Sequence, residues 1–443
     1  MADLEPLYTA EEMRAAEAGH DVDAMMQRAG AAVADELMHR FPDARRILLH
    51  AGGGANGGDG RIAADILEAA GRELVEERPD VVIDALLGTG LMGAPREETS
   101  RLIDEINEAG APVLAVDIPS GVNASTGEVA GAAVRADVTV TMHGPKVGLA
   151  VSPGRFHVGD VAVADIGLEA AATEHRLVGR EILAEVPRRS PRDNKYTAGH
   201  VLVVGGSRGM TGAPTLAARA ALRADAGYVT IAAPAESLPV LETLVLEAVK
   251  RPLDDVFEAA ERAGALAVGP GLGRGAHAKA LVRRLLAEVD VPAVVDADAL
   301  FELEPADWPA PRILTPHEGE LGRLLGRESG QIAAHRLASV EEAAERFGCV
   351  VVLKGEDSLV AAPGRGVFVC ALGLPSLATA GTGDVLTGVT AAFLAKGMEP
   401  QRAAAAACAA QQLASHEAEQ RYGLVASDVV EALPRALARR IAD

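Results

Sequence analysis

Twice along this chain an apolar run leads directly into a glycine-rich turn, and each time a helix-like stretch follows. Arg46–His50 enters Ala51-Gly52-Gly53-Gly54-Ala55-Asn56-Gly57-Gly58-Asp59-Gly60, and His200–Val204 enters Gly205-Gly206-Ser207-Arg208-Gly209-Met210-Thr211-Gly212-Ala213-Pro214. A strand that ends in residues without side chains and then starts a helix opens a parallel sheet with helical crossovers. Glycines there let backbone approach a ligand, and the unpaired N–H groups of the helix start favour anions. Two such openings predict two α/β bodies in a chain of 443 residues, a length beyond one ordinary core.

Further strand candidates in the first part are Asp80–Leu86, Pro112–Ile118, Ala136–Met142 and Asp160–Ile166, with helical patterns at Gly60–Ala70 and Glu97–Ala109. Most of these strands are rich in Val, Ile and Leu without polar alternation, as strands covered on both faces are. Between Glu169 and Gly199 the apolar pattern lapses, and Pro187-Arg188-Arg189-Ser190-Pro191-Arg192-Asp193 is polar and proline-flanked. Strands resume at Tyr228–Ala232, Ala265–Val268, Ala293–Val295, Arg312–Leu314, Val350–Leu353 and Val367–Cys370, with helices at Leu216–Arg223, Asp384–Lys396 and Gln401–Arg421. The expected organisation is a first domain over 1–172, a linker over 173–193 and a second domain over 194–443.

A net charge of −21 disfavours nucleic acid, whose phosphates need Lys and Arg to displace their counterions. There is no run of about 18 apolar residues and no basic-then-apolar leader, so no membrane span is expected. Cys349, Cys370 and Cys408 have neither CxxC spacing nor an even count; they read as small buried hydrophobes in a reducing compartment. The expected setting is therefore cytoplasmic, with small-molecule substrates, no nucleic acid and a homo-oligomeric assembly. Only six of the 42 basic residues are lysine, which singles out Lys146 and Lys354, each beside glycine or proline.

Gly52-x-Gly54-x-x-Gly57 and Gly88-x-Gly90-x-x-Gly93 both fit the dinucleotide fingerprint, a weak signal alone. Asp59 would repel a pyrophosphate at close range, whereas Asn56 and Asp59 offer oxygens suited to a hard cation. By itself this loop reads equally as a tight turn with Asp59 capping the helix. Val82-Ile83-Asp84-Ala85-Leu86-Leu87-Gly88-Thr89-Gly90 and Val116-Asp117-Ile118-Pro119-Ser120-Gly121 put Asp84 and Asp117 at strand ends, where open α/β sheets bind ligands. Three carboxylates converging there need a cation or a proton-transfer role.

Together with Thr139-Val140-Thr141-Met142-His143-Gly144-Pro145-Lys146-Val147-Gly148-Leu149 and Val163-Ala164-Asp165-Ile166-Gly167, these motifs resemble the NAD(P)H-hydrate epimerase domain over about 165 residues. The resemblance implies a Rossmann-like sheet and a potassium ion near Asn56, Asp84 and Ser120. It implies hydrate contacts from Ala55, Asn56, Gly57, Gly58 and Asp59, and from Gly88, Thr89, Gly90, Leu91, Met92, Gly93 and Ala94. Asp117 then contacts the hydrate and is the acid–base candidate, with Lys146 a further site candidate. Two features depart from the family: Ala55 replaces the first of two consecutive asparagines, and the stretch from Gly71 to Asp80 is shorter.

In the second domain Ala380-Gly381-Thr382-Gly383-Asp384 carries the most chemistry. Gly381-Thr382-Gly383 opens a helix and so forms an anion hole, and Asp384 in its first turn can take a proton from a hydroxyl that attacks a phosphoryl group. The plain structural reading makes Asp384 a helix-start acid. With Gly269-Pro270-Gly271-Leu272-Gly273, Thr315-Pro316-His317-Glu318-Gly319-Glu320 and Leu353-Lys354-Gly355-Glu356-Asp357-Ser358, the segment resembles the ribokinase-like superfamily, and within it the ADP/ATP-dependent NAD(P)H-hydrate dehydratase.

By that resemblance Ala213, Gly273, His317 and Asp384 contact the hydrate. Lys354, Gly355, Glu356, Asp357 and Ser358, with Gly381, Thr382 and Gly383, hold ADP or ATP, and Glu320 helps position Mg²⁺. Asp384 would deprotonate the hydroxyl of hydrated NAD(P)H, the hydroxyl would attack the terminal phosphate, and the ester would eliminate. The combined expectation is a bifunctional lyase and isomerase that epimerises the hydrate and dehydrates the S-epimer, giving AMP or ADP and phosphate. Two alternatives stay open: a ribokinase-like small-molecule kinase with a non-catalytic accessory domain, and a dehydrogenase, which Asp59 disfavours.

Overall fold

Arg46–Ala51 begins the first sheet, and the next two strands settle on either side of it. The order is Glu73–Leu74, Arg46–Ala51, Val81–Ala85, Val113–Val116, Val138–Met142 and Asp160–Ala164, and every pairing is parallel. The crossover sense changes between Arg46–Ala51 and Val81–Ala85, which opens a crevice beyond their carboxyl ends. Helices Val22–Arg40 and Ala55–Ala69 cover one face, where Val33, Leu37, Ala63 and Leu67 pack on Ile47, Ile83 and Val116. Glu97–Glu108 covers the other with Ile103 and Ile106 against Val82 and Val113.

The helix expected from Gly60 starts five residues earlier, at Ala55. Ala55–Asp59 is therefore the first turn of a helix and not a loop. Gly57 permits this: a Cβ there would lie 2.0 Å from the carbonyl oxygen of Gly52.

The computed structural model describes residues 2–420 and 422–438. It divides into two bodies. The first takes Pro6–His175 with Ala333–Leu337; the second takes the chain start through Glu5, Arg176–Ile332 and the chain from Ala338 onward. Residues 173–193, expected as a linker, mostly join the second body. Arg176–Leu177 pairs with Phe368–Cys370, and Ile182, Leu183 and Val186 are buried with Leu4 in its core. Their apolar spacing among charged residues was too sparse to read as a packed segment.

The second sheet runs Glu5–Pro6, Arg176–Leu177, Phe368–Cys370, Ser358–Ala361, Val350–Leu353, Arg312–Leu314, Ala293–Val295, Ala265–Val268, His200–Val204, Tyr228–Ala233 and Val249–Pro252. It is parallel from Val249–Pro252 through Val350–Leu353, and Ser358–Ala361 pairs antiparallel on both sides. Here the switch point lies at His200–Val204, whose neighbours Tyr228–Ala233 and Ala265–Val268 stand on opposite sides. Helix Thr382–Ala395 is buried at every position from Val385 to Leu394 and runs behind this region. Its apolarity all round is that of a central helix. The three cysteines are free and buried, and no helix among the described residues is long and apolar enough to cross a membrane.

Candidate active sites

In the first body the two glycine-rich turns meet over one cavity of about 710 Å³. Asn56 joins them by donating its Nδ2 to the carbonyl of Leu87 at 2.9 Å. Ala55, Asn56, Asp59, Gly88, Thr89, Gly90, Leu91, Met92, Ala94 and Asp117 line the cavity. Gly57, Gly58 and Gly93 are absent from its walls. Gly57 instead packs on Gly52, and a Cβ at Gly58 would meet Met26 Cε at 2.2 Å.

Asp84 lies beneath this mouth, fully buried. Ser120 donates to it twice, from its backbone N–H at 2.8 Å and from Oγ at 2.6 Å, and the Leu86 N–H adds a third contact at 3.3 Å. Burial pushes the Asp84 carboxyl up to about 6 against the pull of these hydrogen bonds. Ser120 Oγ lies 2.6 Å from the carboxylate and 3.3 Å from the Leu87 carbonyl oxygen, so hydroxyl, carbonyl and carboxylate oxygens gather here, a chemistry that suits a hard cation. Among the described residues no three His, Cys, Asp or Glu side chains cluster as a metal site.

Asp117 sits at φ +65°, a conformation uncommon for a residue with a side chain. The amide of Met142 donates to its Oδ1 at 3.1 Å, and the buried Lys146 ammonium pairs with the same oxygen. Asp59 has no partner for Oδ1, and its carboxyl is pushed up to about 7 by burial, then by Asp117 and Glu17. Glu17 closes the group. It lines the cavity, and burial followed by the charge of Asp117 raises its carboxyl too. Sequence reading passed over Glu17 because, at the end of helix Ala10–Glu17, it looks like an ordinary solvated charge. Three carboxyls thus share one cavity, and Asp59, near neutrality, can hold or release a proton there, which is what reversible proton transfer needs.

In the second body Gly381 adopts φ +89° and opens helix Thr382–Ala395, so the first N–H groups of that helix face outward beside Asp384. The Asp384 carboxyl is pushed up to about 7 by burial, then by Asp296, against the pull of Lys354. Lys354 stands directly under the turn: a Cβ at Gly383 would lie 3.3 Å from its Nζ. Its ammonium pairs with Asp296 Oδ1 at 2.7 Å and lies 3.7 Å from Glu320 Oε2. Burial works against the Lys354 charge, but Asp296 and Glu320 outweigh it and raise its pKa.

Glu320 also accepts from the His317 N–H at 2.9 Å in a reciprocal cap, while the His317 side chain stays exposed. A magnesium ion on Glu320 would face the Lys354 ammonium, so these residues do not fit a protein-held divalent ion. Gly273 lies across the site with its N–H donated to Asp298 at 2.9 Å, and Ala213 opens helix Gly212–Arg223. In the Lys354–Ser358 segment Gly355 and Glu356 are exposed, whereas Asp357 and Ser358 are buried where the next strand starts. Asp296 and Asp298 were missed in the sequence, although an aspartate just after the apolar strand Ala293–Val295 is the signal that found Asp84 and Asp117.

A doubly wound body and a larger α/β body with a carboxylate at a helix-start anion hole define an enzyme of nucleotide-sized small molecules. The larger body has the fold of a ribokinase-like superfamily protein from Enterococcus faecalis V583, with TM-score 0.54, 24% identity, and coverage of 61% of this chain and 98% of that one. Residues 201–435 match the family model described as NAD(P)H-hydrate dehydratase, and residues 22–77 and 68–148 match YjeF-related protein N-terminus. The chain is 41% identical to the bifunctional NAD(P)H-hydrate repair enzyme of Salinibacter ruber over 83% of this chain and 73% of that protein. It is 33% identical to the Escherichia coli K12 protein of the same description, over 95% and 90%. An ADP/ATP-dependent NAD(P)H-hydrate dehydratase from Bacillus subtilis, co-crystallised with ATP/Mg²⁺, superposes with TM-score 0.54 at 28% identity, over 58% of this chain and 95% of that one. The chain belongs to the bifunctional NAD(P)H-hydrate repair enzymes, with a dehydratase and an epimerase domain.

Proposed function

We propose that the two sites act in series on hydrated NAD(P)H: the first interconverts its epimers, and the second dehydrates the S-epimer at the expense of ADP or ATP. The observation that carries this reading is the place of Asp384, a half-buried carboxyl in the first turn of the helix that Gly381 opens, where it is held near neutrality at the mouth of an anion hole. It can accept the proton of the ring hydroxyl as that oxygen attacks the terminal phosphorus. The Gly381–Gly383 N–H groups and the Lys354 ammonium take up the negative charge of the transferring group. The O–P bond of the nucleotide breaks, leaving AMP or ADP. The ring nitrogen's electron pair then expels phosphate from the resulting ester, and loss of a proton from the neighbouring ring carbon forms the ring double bond and returns the pair to nitrogen.

Ala213, Gly273 and His317 frame the hydrate, and Gly355 and Glu356 offer backbone to the nucleotide. Mg²⁺ would enter with the nucleotide phosphates and screen their charge. In the first body Asp117 exchanges a proton with the hydrate while Asp59 and Glu17 supply the complementary acid. Asp84, Ser120 and Asn56 would hold a potassium ion that organises both turns. The protein works among small molecules in the cytoplasm as a homo-oligomer. The deciding assay mixes hydrated NADH with ADP or ATP and Mg²⁺ and follows reduced-nicotinamide absorbance and free phosphate together. Equal yields of both are expected; a stable phosphorylated product without free phosphate indicates a kinase.

A further inference from the structure

Asp296 is buried to 1% exposure at the end of strand Ala293–Val295, and both of its oxygens are used. Oδ1 accepts from Lys354 Nζ at 2.7 Å, and Oδ2 accepts from Thr387 Oγ1 at 2.7 Å. Thr387 lies three residues after Asp384 on helix Thr382–Ala395, so the two share a helix face. One carboxylate therefore ties the helix that carries Asp384 to the strand end that carries Lys354. Gly383 leaves room for the ammonium between them.

We propose that Asp296, clamped by Thr387, is a positioning residue for dehydration: it keeps the Lys354 ammonium under the Gly381–Gly383 turn and off the Asp384 carboxylate, so that Asp384 remains a free base. This rests on the assignment of Asp384 as that base. Without the clamp the Lys354 ammonium is held only by Glu320 at 3.7 Å and is free to swing toward Asp384, whose charge also attracts it, and a carboxylate in a salt bridge is a poorer base with a lower pKa. The other charged groups around Asp384 and Lys354 are Glu320, Asp298 with its partner Arg274, and the exposed His317. Asp296 also raises the Asp384 carboxyl directly through space, so Asp296→Asn acts in part by loss of its own charge, and the uncharged Thr387→Val change isolates the clamp.

The test is the pH dependence of kcat for dehydration in the full-length enzyme, with saturating hydrated NADH, ADP or ATP, and Mg²⁺. Asp296→Asn should lower kcat by about tenfold or more, a fraction of what full loss of a general base takes away. Its acid limb should move down by about one pH unit, while KM for the hydrate stays within about threefold. Thr387→Val should move the limb the same way by less, and Thr387→Ser, which keeps the hydroxyl, should restore the wild-type profile. If Asp296→Asn does not fold, the Thr387 pair alone decides. An acid limb unmoved in both Asp296→Asn and Thr387→Val overturns the proposal, whatever happens to kcat. Asp384→Asn separates the two levels. If it retains turnover, the base assignment fails; if it is inactive while the limb stays fixed in the other variants, only the positioning role fails.

Discussion

The buried ammonium of Lys146 holds the carboxylate of Asp117 in the first cavity, and Thr141 Oγ1 at 3.0 Å and the Met142 carbonyl at 2.8 Å fix the ammonium in turn. Lys146→Met removes the cation and leaves Asp117 half-buried beside Asp59 and Glu17. Epimerisation should fall by at least about 10²-fold, and stability should fall by on the order of 3 kcal/mol, the usual result of breaking a buried pair. Chemical denaturation and the rate of epimer exchange measure the two effects separately.

Asp59 gives a pH-dependent stability of known sign. Its folded carboxyl sits near 7 and its unfolded one near 3.8. The native state therefore binds the proton more tightly, so the favourable contribution is complete below about pH 4 and is lost as pH rises through 7. Asp59→Asn, which cannot ionise, should match the wild type below about pH 4 and exceed its melting temperature at pH 8. Equal melting temperatures at both pH values would show that Asp59 titrates as an exposed carboxylate.

Potassium should matter through Asp84. Asp84→Asn keeps the size and one accepting oxygen but removes the charge and one of the two acceptors that Ser120 uses. Wild-type epimerisation should slow when potassium is exchanged for a poorly matched cation, and Asp84→Asn should be slow in both. A wild-type rate independent of the cation would leave the buried carboxylate without an ion.

Leu4 is 3% exposed and packs with Val178, Ile182 and Leu183 in the core of the second body. Leu4→Ala should destabilise that body by about 2–4 kcal/mol, as large-to-small core changes do. The dehydratase reaction should lose thermal tolerance while its room-temperature turnover stays unchanged. An unaltered melting curve would mean that the chain start contributes nothing to this core.

These residues also show what could be read from the sequence. Asp84, Asp117 and Asp384 were legible because each follows an apolar strand or a glycine turn, where the fold class itself places ligands. Leu4, Ile182 and Val186 were not, since isolated apolar residues among charges show no period that betrays packing. Glu17 depends on tertiary approach, whereas Asp296 carried a strand-end signal that was passed over. The first lies on a helix outside the sheet, and the second follows a strand of three residues. The antiparallel strand Ser358–Ala361 was also passed over, and Asp357 and Ser358, expected with the nucleotide, are buried where it starts.

Two sites acting in series on two epimers of one substrate leave a kinetic signature. A mixed-epimer sample of hydrated NADH, with ADP or ATP and Mg²⁺, tests for it through the progress curve of reduced-nicotinamide absorbance. The wild type should repair nearly all of the sample in one fast course, because a pocket that aligns one hydroxyl with the phosphate accepts one epimer and the first site resupplies it. Asp117→Ala should show a fast phase that consumes the accepted epimer, then a tail at the spontaneous exchange rate. Superimposable single-phase curves for the wild type and Asp117→Ala would mean that the first body contributes no catalysis.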